Sequence, residues 1–255
     1  MDLYEAIYLR KSAKSYLMEE LDQKLVKNIE NFANHLQTII HNKHIKFKIL
    51  NRFSDKAKTM EYSNSIKAPC YFVLTMEKQD GYLFDIGYIM GQLSLYLTTK
   101  ELGSNLLHPV EVAKDYFGHT EEFVTVLAFG KTTGSKYKDT KMMKSLLGDK
   151  YCHYKSEVDD NIKKIVYAAG FFPYSIGPQP WRIIVYNNRI HFFCKKDTVL
   201  TKHYKKLYRI EIGMMLANIQ LKAEELWLNV SAKRMDNIAE KQMKDYDYML
   251  TVLIN

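Results

Sequence analysis

The sequence predicts an α+β protein of two similar halves, each with one long central helix and a mainly antiparallel sheet. Three observations lead there. Two long apolar runs, from about Tyr82 to Leu102 and from Leu207 to Leu228, open on matching triplets, Asp85-Ile86-Gly87 and Glu211-Ile212-Gly213. Short segments with strand periodicity flank each run. Between the two sets lies a polar, basic stretch, Gly130 to Lys144, which reads as a flexible link. The 255 residues are therefore expected to form one domain, residues 1–255, with halves 1–144 and 145–255.

Each element follows from a local pattern. Asp2 can cap a short helix reaching Arg10, with Leu3, Ile7 and Tyr8 on one face. Leu21, Leu25, Ile29, Phe32, Leu36 and Ile39 recur at helical spacing and predict a helix over 19–41. Ile45, Phe47 and Ile49 alternate with Lys46 and Lys48, the period of a half-buried strand. Cys70 to Leu74 reads as a buried strand. The first long helix is expected to close at Gly103 as its left-handed C-terminal glycine. Pro109 opens a short helix that ends near Gly118, and Phe123 to Phe129 is a buried strand.

In the second half, Val158 to Ala169 is helical and Gly170 ends it. A stiff loop, Pro173 to Trp181, then enters strands 182–186 and 189–195, joined by the turn Asn187-Asn188. The second long helix and strands near 229–233 and 247–253 finish the chain. The helix ends also look alike, Lys100-Glu101-Leu102-Gly103 against Glu224-Glu225-Leu226-Trp227, but slip by two residues relative to the openings.

Composition narrows the function classes. Asp2 and Glu5 stand where a signal peptide would be basic and apolar. The longest uncharged stretch, Ile165 to Trp181, contains three prolines and two glycines and cannot be a spanning helix. A soluble, cytoplasmic protein without a membrane partner is expected. Cys70, Cys152 and Cys194 are scattered, so neither a disulfide framework nor a zinc site is expected. His41 and His44 have no carboxylate at metal-site spacing and read as surface residues. The net charge of +8 comes without a nucleic-acid motif, so no nucleic-acid partner is expected, and nucleic-acid binding through the basic surface stands as a remote alternative.

Two segments carry chemistry. Arg10-Lys11-Ser12-Ala13-Lys14 offers three cations and a hydroxyl within five residues, a combination suited to a phosphate dianion. Pro173-Tyr174-Ser175-Ile176-Gly177-Pro178-Gln179-Pro180-Trp181 is a turn-rich loop that can lay backbone groups along a planar ring.

With these two segments in this order, the chain resembles the FMN-dependent nitroreductase superfamily. The family carries an arginine-serine segment near its N-terminus, a Gln-Pro-Trp loop before a strand, and an Asp-x-Gly that opens a long helix. Its flavin lies at a homodimer interface. Here the first half has the arginine-serine segment and the second half has the loop. That division resembles the single-chain TM nitroreductase type, in which one chain imitates the dimer.

The resemblance implies a nitroreductase-like fold packed as an intrachain pseudo-dimer, and a monomer or weak homodimer. It implies an FMN-dependent oxidoreductase with NADH or NADPH as reductant and a small-molecule electron acceptor. Arg10 and Ser12 would hold the phosphate, with Lys11 beside them, and Lys14 would lie nearer the ring. Lys138 or Lys141 would add a late cation. Pro173, Tyr174, Ser175, Gly177 and Gln179 would form the loop's share of the site, and Trp181 would be a packing anchor. Chemistry would occur at flavin N5, with no catalytic side chain. Tyr174 and Gly177 stand where the family has serine and asparagine, which leaves open a flavin- or small-molecule-binding protein without turnover.

Overall fold

The computed structural model describes residues 1–53, 66–107, 123–139, 144–155, 157–173, 179–196, 204–238 and 243–255. Asp2 caps α1 (Leu3–Leu9) as expected: its side chain accepts the Glu5 N–H, and the Glu5 side chain returns to the Asp2 N–H. The next helix, α2 (Gln23–Asn34), is shorter than the predicted 19–41. Asp22 caps it, and it ends at His35. Leu36 is buried, but from a tight loop closed by the Thr38 N–H to Lys43 C=O bond (2.9 Å), with Asn42 left-handed. Burial rather than helix produced the spacing beyond Asn34.

The first half continues through β1 (Lys46–Asn51), β2 (Cys70–Met76), α3 (Tyr82–Thr99), β3 (Gly103–Leu107) and β4 (Phe123–Gly130). The strands form an antiparallel sheet in the order β1-β2-β4-β3. The second half contains β5 (Cys152–Tyr154), α4 (Asp160–Ala169), β6 (Trp181–Tyr186), β7 (Arg189–Lys195), α5 (Lys205–Glu225), β8 (Val230–Lys233) and β9 (Tyr246–Ile254). Its sheet runs β5-β6-β7-β9-β8, with β5 parallel to β6 and the other pairs antiparallel. Without β5, the second sheet repeats the strand order of the first. The fold is α+β with mainly antiparallel sheets, as expected from the sequence. The expected helix from Pro109 to Gly118 lies outside the described residues.

The core lies around α3 and α5, which pack on each other through glycine. A Cβ on Gly87 would meet the Ile210 carbonyl oxygen at 1.9 Å, and one on Gly213 would meet the Phe84 oxygen at 2.1 Å. Each glycine thus touches the backbone one turn before the other, a reciprocal contact that only bare Cα atoms permit.

The helix ends match as well. Leu102 N–H reaches Leu97 C=O (3.0 Å) and Glu101 N–H reaches Thr98 C=O (3.0 Å), with Glu101 left-handed at φ 59. Leu228 N–H reaches Ala223 C=O (2.9 Å) and Trp227 N–H reaches Glu224 C=O (3.1 Å), with Trp227 at φ 60. Both are Schellman motifs, at equal intervals from Gly87 and Gly213. The two-residue slip expected from pairing Leu102 with Leu226 is therefore absent, since Leu102 matches Leu228. Gly103 does not terminate α3, either. Glu101 takes the left-handed position and Gly103 begins β3.

The three cysteines are buried, and none forms a disulfide. Among the described residues, no helix is long and apolar enough to cross a membrane, and no cluster of His, Cys, Asp or Glu could hold a metal ion.

Candidate functional site

At the end of α1 the backbone turns extended at Arg10, whose N–H still reaches Ala6 C=O (2.9 Å). The next residues run along β3. Ser12 pairs with Ser104, Ala13 N–H reaches Ser104 C=O (3.0 Å), and the Asn105 side-chain amide donates to Ala13 C=O (2.7 Å). The stretch after Gly130, expected as a flexible link, is instead held against the other side of this segment. Tyr16 pairs with Thr132, Leu17 N–H reaches Lys131 C=O (2.8 Å), and Lys138 N–H reaches Leu9 C=O (2.8 Å). Gly103 allows the three segments to meet: a Cβ there would lie 2.3 Å from Thr132 Cγ2 and 2.8 Å from Ala13 Cβ. The arginine-serine segment is thus clamped on both sides by backbone bonds.

A cleft of about 770 Å³ opens beside it, walled by Arg10, Lys11 and Ser12, by Tyr137, Lys138 and the carboxylate-bearing Asp139, and by Phe172 and Pro173. The N-terminal segment, the basic stretch and the start of the Pro173 loop therefore face one space. Arg10 is only 9% exposed. Among the described residues it has no carboxylate partner; its Nη1 lies 3.4 Å from Ser12 Oγ, and its buried Nε has no hydrogen-bond partner among them. Burial pushes the guanidinium down to about 10, so it stays cationic at neutral pH. Lys138 Nζ lies 5.7 Å from the centre of the Phe171 ring.

A second cleft of about 330 Å³ adjoins the first and shares Lys11, Ser12 and Ser135 with it. Lys14 lines this smaller cleft and not the larger one. Gln179 is half-buried, and its Oε1 is buried without a hydrogen-bond partner among the described residues. It is not a wall of either cleft. Trp181 is fully buried, edge-on to Phe172 (5.2 Å) and Tyr208 (6.4 Å), as expected of a packing anchor. Tyr174, Ser175, Gly177 and Lys141 lie outside the described residues.

Sequence reasoning missed Asn105, whose contact with Ala13 spans elements distant in the chain and carries no local signal. It also misplaced His41. Rather than standing free at the surface, His41 Nδ1 hydrogen-bonds the fully buried Asp85 carboxylate, which also accepts the Ile40 N–H (2.7 Å). Burial raises the Asp85 carboxyl above its ordinary value, against the pull of these hydrogen bonds.

The family model described as "Putative TM nitroreductase" matches residues 2–231. The chain belongs to this nitroreductase family. A crystal structure described as a "putative nitroreductase" from Thermotoga maritima aligns with a TM-score of 0.65 and 18% identity, over 99% of this chain and 94% of that one. That likeness is one of fold. A "Putative NADH dehydrogenase/NAD(P)H nitroreductase" from Bacteroides thetaiotaomicron aligns at TM-score 0.48 and 16% identity, over 60% of this chain and 97% of its own. A nitroreductase with bound FMN from Desulfitobacterium hafniense aligns at 0.43 and 15%, over 56% and 97%. No curated protein matches the chain. In this nitroreductase-family chain, the arginine-serine segment and the entry to the Gln-Pro-Trp loop both line the larger cleft.

Proposed function

We propose that the protein is an FMN-dependent oxidoreductase of the nitroreductase type. The observation that carries this reading is Arg10, a buried cation without a carboxylate partner among the described residues, aimed at a cleft of about 770 Å³. Burying an unpaired cation is costly, and an anionic ligand removes the cost. The cleft volume suits a cofactor. The buried Arg10 Nε, without a hydrogen-bond partner among the described residues, is a donor that a polar ligand in the cleft can satisfy.

The residues present therefore fit FMN. Arg10 would neutralise the phosphate and Ser12 would orient it through its hydroxyl. Lys138 would add charge from the strap bonded to Leu9. Phe172 and Pro173 offer an apolar wall that excludes water from a ring system. Lys11, shared by both clefts, raises the local positive potential. When bound, FMN supplies two-electron chemistry, accepting hydride from NADH or NADPH and reducing a nitroaromatic, quinone or similar acceptor by ping-pong turnover.

Both walls come from one chain, so the pseudo-dimer reading requires no second copy to complete this site. The test is the double variant Arg10→Ala with Ser12→Ala. Wild-type protein loaded with FMN and desalted should keep its flavin absorbance, and the variant should lose it. Equal retention by both would remove the site assignment. A flavin-loaded wild type that oxidises neither NADH nor NADPH would make the protein a flavin binder without turnover.

A further inference from the structure

We propose that Glu101 is a positioning residue for the flavin site: through Lys136 it latches the strap that brings Tyr137 and Lys138 to the larger cleft. This inference rests on the oxidoreductase reading above. The strap leaves β4 at Gly130 and is well tied at its start. Leu17 N–H reaches Lys131 C=O (2.8 Å), Tyr16 pairs with Thr132, and Ser15 Oγ lies 2.6 Å from Thr133 Oγ1. It is tied again where Lys138 N–H reaches Leu9 C=O (2.8 Å). Between these points, the bonds from Thr132 Oγ1 to Gly134 C=O (3.1 Å) and from Ser135 Oγ to Tyr137 C=O (2.7 Å) stay within the strap. Among the described residues, the one polar contact joining 134–137 to the body of the protein is the ion pair of Lys136 Nζ with Glu101 Oε2, at 2.6 Å.

The helix end itself does not call for an acid. Glu101 stands at φ 59, the left-handed position of a Schellman motif, which glycine fills without strain. Trp227 holds the counterpart position at φ 60 with its side chain in solvent. What the Glu101 carboxylate adds is the tie to Lys136. Tyr137 and Lys138 line the larger cleft with Arg10, whereas Lys136 does not, so the ion pair acts on the flavin site only through the strap. By charge alone, a carboxylate near an anion site weakens binding of the anion. A latch strengthens it. The two effects have opposite signs, and binding measurements separate them.

Glu101→Asn removes the charge and keeps a residue that accepts left-handed backbone. In a fluorescence titration it should bind FMN roughly three- to fivefold more weakly than wild type, the worth of one exposed ion pair. Glu101→Lys should bind no better than Glu101→Asn, although it adds positive charge. Combining Glu101→Lys with Lys136→Glu should recover most of the affinity. Glu19→Gln removes the carboxylate that pairs with Lys131 at 2.7 Å, where backbone bonds already hold the strap, and should leave FMN affinity unchanged. Flavin-free Glu101→Asn should melt no lower than wild type, whereas a merely structural residue would lower midpoint and affinity together. Amide hydrogen exchange of flavin-free protein reads the latch directly. Lys138 N–H should lose protection in Glu101→Asn and regain it in the swapped pair.

Unchanged or tighter FMN binding by Glu101→Asn would overturn the proposal, the latter by showing that only the charge is felt. A swapped pair that binds as weakly as Glu101→Lys would also overturn it, since the partner would then not matter. A wild type that binds no FMN would sink the oxidoreductase reading. Faster exchange at Lys138 in Glu101→Asn would still establish the latch in that case, and unchanged exchange would sink it as well.

Discussion

Replacing Arg10 by methionine should stabilise the flavin-free protein while abolishing flavin binding, the reverse of what an ordinary buried substitution does. Arg10 is 9% exposed, and burial lowers its guanidinium from its ordinary value to about 10. That drop corresponds to roughly 3 kcal/mol against the cation in the folded state. The sign follows from linkage. A base whose folded value lies below its unfolded one reduces stability at every pH below about 10, and the penalty fades as pH rises above that toward the ordinary arginine value. At neutral pH the full cost is present. Methionine keeps an unbranched apolar stem and removes the charge. The partial compensation is small, since the bond from Nη1 to Ser12 Oγ is long at 3.4 Å. Thermal unfolding of flavin-free protein should therefore show Arg10→Met melting roughly 5 °C or more above wild type. Adding FMN should raise the wild-type midpoint through ligand linkage and leave the variant unmoved. If Arg10→Met melts lower than wild type, or FMN protects both equally, Arg10 is not held uncompensated for an anion.

Three further outcomes are expected. Gly87→Ala would ordinarily gain about 1 kcal/mol of helix propensity, but its Cβ would lie 1.9 Å from the Ile210 oxygen, so it should cost about 3 kcal/mol or more in chemical denaturation. An unchanged or raised midpoint would mean that α3 and α5 do not meet backbone to backbone. Asn105→Ala removes the 2.7 Å bond to Ala13 C=O and should weaken FMN binding about fivefold in a fluorescence titration. Asn105→Gln should not rescue the affinity if the bond depends on a short side chain. Asp85 has a raised carboxyl value, so the stability it contributes is full below its ordinary 3.8 and lost as pH rises through the raised value. The midpoint of Asp85→Asn relative to wild type should accordingly improve between about pH 3 and pH 7. The opposite trend would show that the hydrogen bonds from Ile40 and His41 outweigh desolvation.

Most of the fold was legible because its signals are local and periodic. Asp2 with Glu5, Asn187-Asn188, and the alternation over β1 each act within a few residues. What sequence reading lost was set at a distance. Leu36 and Ile39 keep helical spacing beyond the end of α2, yet the chain there turns to bring Ile40 and His41 onto Asp85. β3 starts Gly-Ser-Asn, a poor strand sequence, and exists because β4 and the arginine-serine segment bond to it from either side. β5 is three residues long and takes its conformation from β6. For the site, the cation-rich segment was visible from composition alone. Its clamp by Asn105 and the strap carrying Lys138 was not, because those bonds join residues about a hundred positions apart.

The two halves diverge where physical constraint allows it. In a reciprocal crossing, each glycine rests on the other helix's backbone, so neither Gly87 nor Gly213 can acquire a side chain without parting both helices. One turn further on, Gly91 faces the Cβ of Ala217 at 2.9 Å, so the equivalent position in the second half already carries a methyl. The Schellman ends tolerate still more, with Glu101 in one half and a 95% exposed Trp227 in the other. Function constrains the ends differently. A cleft built from an arginine-serine segment on one side and a loop on the other needs each part once. Arg10 accordingly has no counterpart in the second half, while the crossing of α3 and α5 remains close to symmetric.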